Sequence, residues 1–271
     1  MALETAPQST VKVPPQVSAL LMRVSDAILA CTPQPAPNKA DIERCKLIGH
    51  RGCKDVAGVK ENTYEAFDYA LENGMHGIEL DLRWTKDKQL VVAHDPDLQR
   101  VHGVEGDIAD LNFSELRTLC PAVPLFREVI EKYQGKLSFY IELKKDDWDD
   151  MALQQRALLS ELSSLTGGRD YYIMSFDLDL LKALDEVPAS SKVAIMHSNP
   201  SDIKTLVEEG CVGTVGGHYL LLTKKFQQHC HQHNVDLGVG FPASRNSLRR
   251  EVNRGVVFAF VDDPQKAKTW L

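Results

Sequence analysis

Glu79 and Asp81 sit two residues apart inside the short apolar run Gly77–Leu82, and Glu142 and Lys144 repeat that spacing at the end of Leu137–Leu143. Side chains alternate across a strand, so each pair faces one side of its strand. Brought together, Glu79, Asp81 and Glu142 form a cluster of three carboxylates, and their mutual repulsion would push their pKa values up. A hard divalent cation removes that cost, and all-oxygen ligation suits Mg²⁺, Ca²⁺ or Mn²⁺ better than zinc. The cation-free alternative is a salt-bridge network with Arg51 and Lys144. His50 and His94 close two further apolar runs, Leu47–His50 and Leu90–His94. Histidine titrates near neutral pH, so two of them beside a metal site read as an acid–base pair. Arg51 and Lys144 add donors that suit the non-bridging oxygens of a phosphate.

These groups need elements to hold them. From Lys46 onward, short apolar runs alternate with longer stretches of helical spacing. Leu47–His50, Gly77–Leu82, Leu90–His94, Leu137–Leu143, Tyr171–Phe176, Lys192–Met196, Val212–Val215, Val235–Val239 and Val256–Val261 read as strands. Thr63–Asn73, Phe113–Leu119, Leu125–Gln134, Ala152–Ser164, Leu178–Leu184 and Thr223–His233 read as helices between them. That alternation predicts a parallel sheet clothed in helices. The fold class is α/β, a (β/α)₈ TIM barrel with an N-terminal helical extension; a doubly wound open sheet competes with it. Nine candidate strands are one too many for eight, and Val212–Val215 is expected to be the supernumerary one. In a barrel the C-terminal strand ends share one face, where active sites sit. The first four strands all place polar groups at that end.

The residues carry a resemblance. Ile48-Gly49-His50-Arg51-Gly52, Glu61-Asn62-Thr63, Ile78-Glu79-Leu80-Asp81, Val92-Ala93-His94-Asp95 and Ile141-Glu142-Leu143-Lys144, in that order and spacing, resemble the glycerophosphodiester phosphodiesterase family. Ser175-Phe176 and the run Gly255–Pro264 extend the likeness over residues 46–268. The resemblance implies a (β/α)₈ barrel, a divalent cation on Glu79, Asp81 and Glu142, and His50 and His94 as general acid and base. It places Arg51 and Lys144 on the phosphate and Glu61 in support. The sequence departs from the family where members carry tryptophan in a Trp-Thr-Val-Asn run: here Leu237–Pro242 intervenes, with Phe241 as the available aromatic. Val261 replaces a usual threonine. The implied reaction is hydrolysis of a glycerophosphodiester to glycerol 3-phosphate and an alcohol. A lysophospholipase D working by the same chemistry is the alternative, and a non-catalytic phosphate-binding protein is disfavoured because every core residue is present. Phe113, Leu116 and Leu119, in the segment inserted above the barrel mouth, could line a lipid path, but their helical spacing favours packing.

The chain of 271 residues is 43% hydrophobic and 25% charged, with a formal net charge of −7. That composition is globular, and the acidity argues against nucleic acid, which needs a basic face. Six dispersed cysteines without a close pair fit reduced thiols. His229 and His233 have zinc-like spacing but lack a second ligand pair, so a solvated helix surface is expected. Two regions are expected, a tail, helix and linker over 1–40 and the phosphodiesterase domain over 41–271. In the first, Val17, Leu20, Leu21, Val24, Ile28 and Leu29 recur at helical spacing. That amphipathic helix is expected to close the bottom of the barrel, peripheral membrane contact being the other reading. The lack of a signal peptide or a transmembrane segment makes cytoplasmic the default location. The oligomeric state is not legible.

Overall fold

A computed structural model describes residues 24–145, 148–197 and 200–271. The described residues form nine strands: β1 Lys46–Gly49, β2 Gly77–Trp84, β3 Leu90–Val92, β4 Ser138–Leu143, β5 Tyr171–Ser175, β6 Lys192–Met196, β7 Thr214–Gly217, β8 Asp236–Gly240 and β9 Phe258–Val261. Eight of them run parallel in the order β1-β9-β8-β7-β6-β5-β4-β2, and a β1–β2 pairing closes the ring. Helices lie between successive barrel strands, as the alternation predicted.

The supernumerary strand is β3, and not Val212–Val215. Thr214–Gly217 is a full barrel member, parallel to both β6 and β8. β3 instead pairs antiparallel with the end of β2, Leu82 against Val92 and Trp84 against Leu90. Chain length decides the matter. Only Thr85–Gln89 join β2 to β3, whereas a parallel crossover needs about a dozen residues. The turn is tied by Thr85, whose hydroxyl bonds Asp87 Oδ1 at 2.7 Å and receives the Gln89 N–H at 2.9 Å.

The barrel interior is filled by Ile48, Tyr140, Met174, Val193, Phe258 and Phe260. Glycine on β8 makes room for Phe258. A β-carbon on Gly238 would stand 2.0 Å from the Phe258 ring. Outside, the helices bury their apolar faces on the sheet, as with Phe126, Val129, Ile130 and Tyr133 of the Phe126–Tyr133 helix. Residues 93–125 form a satellite layer around Leu98, Ile108, Leu116, Cys120 and Val123. Leu116 is buried there and Phe113 packs beside it, so both serve packing and not a lipid path. Leu119 stays exposed.

The N-terminal extension does not close the barrel bottom over its described part. Residues 24–30 are helical, and residues 17–23 of the predicted helix lie outside the described residues. Asn246, near the start of the Arg245–Asn253 helix, donates to the Ala30 carbonyl at 2.8 Å, and Asn253, at its end, to the Pro35 carbonyl at 3.1 Å. That helix runs from the C-terminal end of β8 down to the start of β9. The extension therefore descends along the flank from the mouth side, and the Lys39–Arg44 helix turns it into β1. Leu29 packs on the core, while Val24 and Ile28 are exposed.

Candidate active site

The carboxylates come together because β2 and β4 are neighbours with Asp81 opposite Glu142 in register. One oxygen each from Glu79, Asp81 and Glu142 lies within 4.8 Å of the others, and all three residues are buried. Burial pushes the Glu79 carboxyl well above its ordinary range, and Asp81 and Glu142 push it further. Glu142 is raised by burial and then by Asp81. Burial would raise Asp81 too, but Lys144 and Arg51 outweigh it and hold that carboxyl down to about 2. Lys144 Nζ is 2.6 Å from Asp81 Oδ1 and also contacts Glu142. Arg51 Nε is 3.6 Å from Asp81 Oδ2.

The triad fits a cation. Lys144 and Arg51 set two positive charges against three buried carboxylates, and Asp81 Oδ1 is buried without an aligned hydrogen bond. An all-oxygen donor set of this kind suits a hard divalent ion. Among the described residues no other group of three potential ligands exists, so the His229–His233 helix carries no metal cluster. His229 instead faces Glu208 at 3.6 Å.

His50 directly follows β1. Its N–H bonds the Val261 carbonyl at 2.9 Å, and its Nδ1 lies 2.5 Å from Asp262 Oδ1. The carboxylate accepts the Nδ1 proton, which fixes the tautomer and leaves Nε2 as the reactive nitrogen. That Nε2 is 3.8 Å from Glu79 Oε2. Burial lowers the His50 pKa, and Asp262 only partly restores it. The chain turns sharply here. Arg51 has φ +50° and Gly52 φ +80°, and a β-carbon on Gly52 would meet the Ala66 backbone at 2.7 Å. The turn aims the Arg51 N–H at Glu79 Oε2, 2.9 Å away.

His94 reaches the mouth by another route. It follows β3, so the expectation of a parallel strand end is corrected. β2 climbs past the mouth and the hairpin brings the chain back down, with the Ala93 N–H on the Asp81 carbonyl at 3.0 Å. Arg83 clamps the His94 carbonyl at 3.1 and 2.8 Å. His94 Nδ1 is 2.6 Å from Asp95 Oδ1, the same carboxylate–imidazole arrangement as at His50. Burial lowers this pKa as well.

Glu61 is not among the three clustered carboxylates. It accepts from Arg51 at 2.8 Å and Arg100 at 2.6 Å, and Arg100 also grips Asp95. Glu61 thus locks Arg51 in place and ties it to the His94 side. Sequence reasoning gave no role to Asp262, Asp95, Asn62 or Arg100. Asn62, at φ +56°, donates to Asp81 Oδ2 at 2.9 Å. Asp262 had a signal, since it follows a strand at the same end of the barrel as His50.

Fold and site together define a (β/α)₈ barrel that gathers an acidic triad with the geometry to hold a metal ion and two carboxylate-oriented histidines at its C-terminal mouth. Residues 50–235 match the model of the glycerophosphoryl diester phosphodiesterase family. A glycerophosphodiester phosphodiesterase of Bacillus altitudinis is 36% identical over 240 residues, 82% of this chain and 96% of the relative. A human lysophospholipase D is 47% identical over 72 residues, 26% of this chain and 22% of that protein. Among solved structures, an Oleispira antarctica phosphodiesterase in complex with the product sn-glycerol-3-phosphate superposes with a TM-score of 0.71 at 19% identity, covering 85% of this chain and 98% of the other. The chain belongs to the glycerophosphoryl diester phosphodiesterase family.

Proposed function

We propose that this protein hydrolyses glycerophosphodiesters to glycerol 3-phosphate and an alcohol, with residues 41–271 as the catalytic domain and 1–40 as an appendage. The observation that carries the reading is the juxtaposition of the buried Glu79–Asp81–Glu142 triad with two histidines whose Nδ1 atoms are each tied to a carboxylate. Glu79, Asp81 and Glu142 would hold one hard divalent cation, Mg²⁺ or Ca²⁺, with Mn²⁺ third. Such an ion, when bound, polarises a phosphoryl oxygen as a Lewis acid. Arg51 and Lys144 hold the phosphate and offset its developing negative charge. Burial lowers both histidine pKa values, and the carboxylate on each Nδ1 leaves Nε2 as the nitrogen that exchanges a proton. One, neutral, takes at Nε2 the proton of the attacking hydroxyl, of water or of the substrate's own glycerol. The other, entering the step as imidazolium paired with its carboxylate, gives its Nε2 proton to the leaving alkoxide, and the two exchange protons with solvent before the next turnover. Glu61 holds Arg51 for this task.

A lysophospholipase D is the second reading. Phe176, Leu220 and Phe241 follow β5, β7 and β8 at the mouth, and each keeps a large apolar side chain exposed. Those side chains suit an acyl chain. Parallel assays on glycerophosphocholine and lysophosphatidylcholine separate the two. Preference for the short diester supports the first reading, and turnover confined to the lipid replaces it with the second. The described residues contain no helix long and apolar enough to cross a membrane.

A further inference from the structure

Phe241, the first residue after β8, combines three features that packing does not explain. Its backbone holds φ at +54°, a left-handed conformation that a bulky side chain disfavours. Its side chain remains 41% exposed, more than a core aromatic would be. Its ring stands 4.3 Å from the His50 imidazole, tilted by 44°. The backbone under that ring is fixed. The Phe241 N–H donates to the Phe260 carbonyl at 3.0 Å and continues the β8–β9 ladder beyond Gly240 and Phe260.

Three adjacent strands therefore converge on one imidazole. β1 carries His50, β9 leads to Asp262 on its Nδ1 edge, and β8 leads to Phe241 on its ring. Strain persists in a fold where the surroundings impose it, and it concentrates at working sites.

We propose that Phe241 is a positioning residue. Its ring rests on the His50 imidazole, keeps water from the His50–Asp262 hydrogen bond and holds Nε2 toward the carboxylate triad. This rests on the role proposed for His50. The arrangement predicts a signature that an ordinary packing residue lacks. Glycine at 241 relieves the backbone while giving up the ring's partial burial, so the two effects offset in stability and turnover falls by more than any change in stability accounts for.

The test uses the full-length protein with Phe241→Gly, Phe241→Leu and Phe241→Tyr. Thermal unfolding, kcat and KM on glycerophosphocholine are measured, together with the downfield proton resonance of His50 Nδ1–H, assigned by its absence from Asp262→Asn. Phe241→Gly is expected to stay folded with a Tm well above the assay temperature, to lose about tenfold in kcat with KM close to wild type, and to broaden the downfield proton. Phe241→Tyr should restore both kcat and the proton, and Phe241→Leu only part of each. Wild-type kcat in the glycine variant would overturn the proposal. So would a Tm loss that parallels activity across all three variants, or a loss confined to KM, which marks a substrate contact. Should the wild type fail to hydrolyse the diester, the proton resonance decides alone. Its loss with glycine and return with tyrosine support the positioning role, and its persistence with glycine overturns it.

Discussion

Asp262 does for His50 what no residue near it in sequence could do, because β9 lies beside β1 only once the barrel has closed. Its carboxylate sets the tautomer through a 2.5 Å contact. Asp262→Asn keeps the shape of the side chain but removes the charge that stabilises the protonated imidazole. We expect a fall in kcat of about 10²-fold with Tm unchanged, read from steady-state kinetics and calorimetry. Near-wild-type turnover would remove Asp262 from the account. At this scale the sequence was legible wherever side-chain type alone announces chemistry. His50, Glu79, Asp81, His94, Glu142 and Lys144 all converge on the mouth. It was not legible where a role depends on a spatial neighbour. Asp262, Asn62 and Arg100 look like ordinary polar residues until the fold sets them against His50, Asp81 and Glu61. Glu61 was placed in the right neighbourhood, but the two arginines it binds could not be read from spacing.

Elements carry the positioning. The β1 turn works because Gly52 accepts φ +80° and lets the Ala66 backbone approach. Gly52→Ala adds a β-carbon into that 2.7 Å gap and is predicted to cost about 1–3 kcal/mol. In a chain of this size that lowers Tm by about 2–4 °C per kcal/mol. An unchanged melting curve would show that the turn is less constrained than the geometry implies. Period and propensity place the nine strands within two residues of their observed ends, but the Pro200–Glu208 and Arg245–Asn253 helices were not among the predicted ones. Phe113–Leu119 and Lys192–Met196 were matched at both ends. β3 was misassigned because apolar character cannot distinguish a parallel strand from the return arm of a hairpin. The length of Thr85–Gln89 carried that information. The glycines of β7 gave Val212–Val215 a weak, truncated look, although Gly216 and Gly217 are true strand residues.

The whole molecule carries an electrostatic cost at its mouth that a bound cation would offset. Three buried carboxylates share two positive side chains, and burial together with Asp81 and Glu142 drives Glu79 well above its ordinary pKa. Glu79→Gln removes one repelling charge at nearly constant shape. At mildly alkaline pH and without divalent ions this variant should melt above wild type. Added Mg²⁺ or Ca²⁺ should raise Tm in wild type, since a ligand at about 100 times its Kd stabilises the native state by roughly 2.7 kcal/mol. It should do little for the variant. An equal cation response in both proteins would contradict binding by the triad. Barrel closure also explains how far the sequence reading carried. The strand-end rule made the face of the site predictable, while the path of the N-terminal extension along the Arg245–Asn253 helix rests on Asn246 and Asn253, which no periodicity marks.

Cation-dependent phosphodiester hydrolysis at the barrel mouth is decided by release of glycerol 3-phosphate from glycerophosphocholine by the purified protein, measured after chelation and again after adding Mg²⁺, Ca²⁺ or Mn²⁺. The account predicts activity that stops on chelation, returns with at least one of these ions, and is absent from His50→Ala and His94→Ala. Turnover that survives chelation, or that persists in either histidine variant, would contradict it.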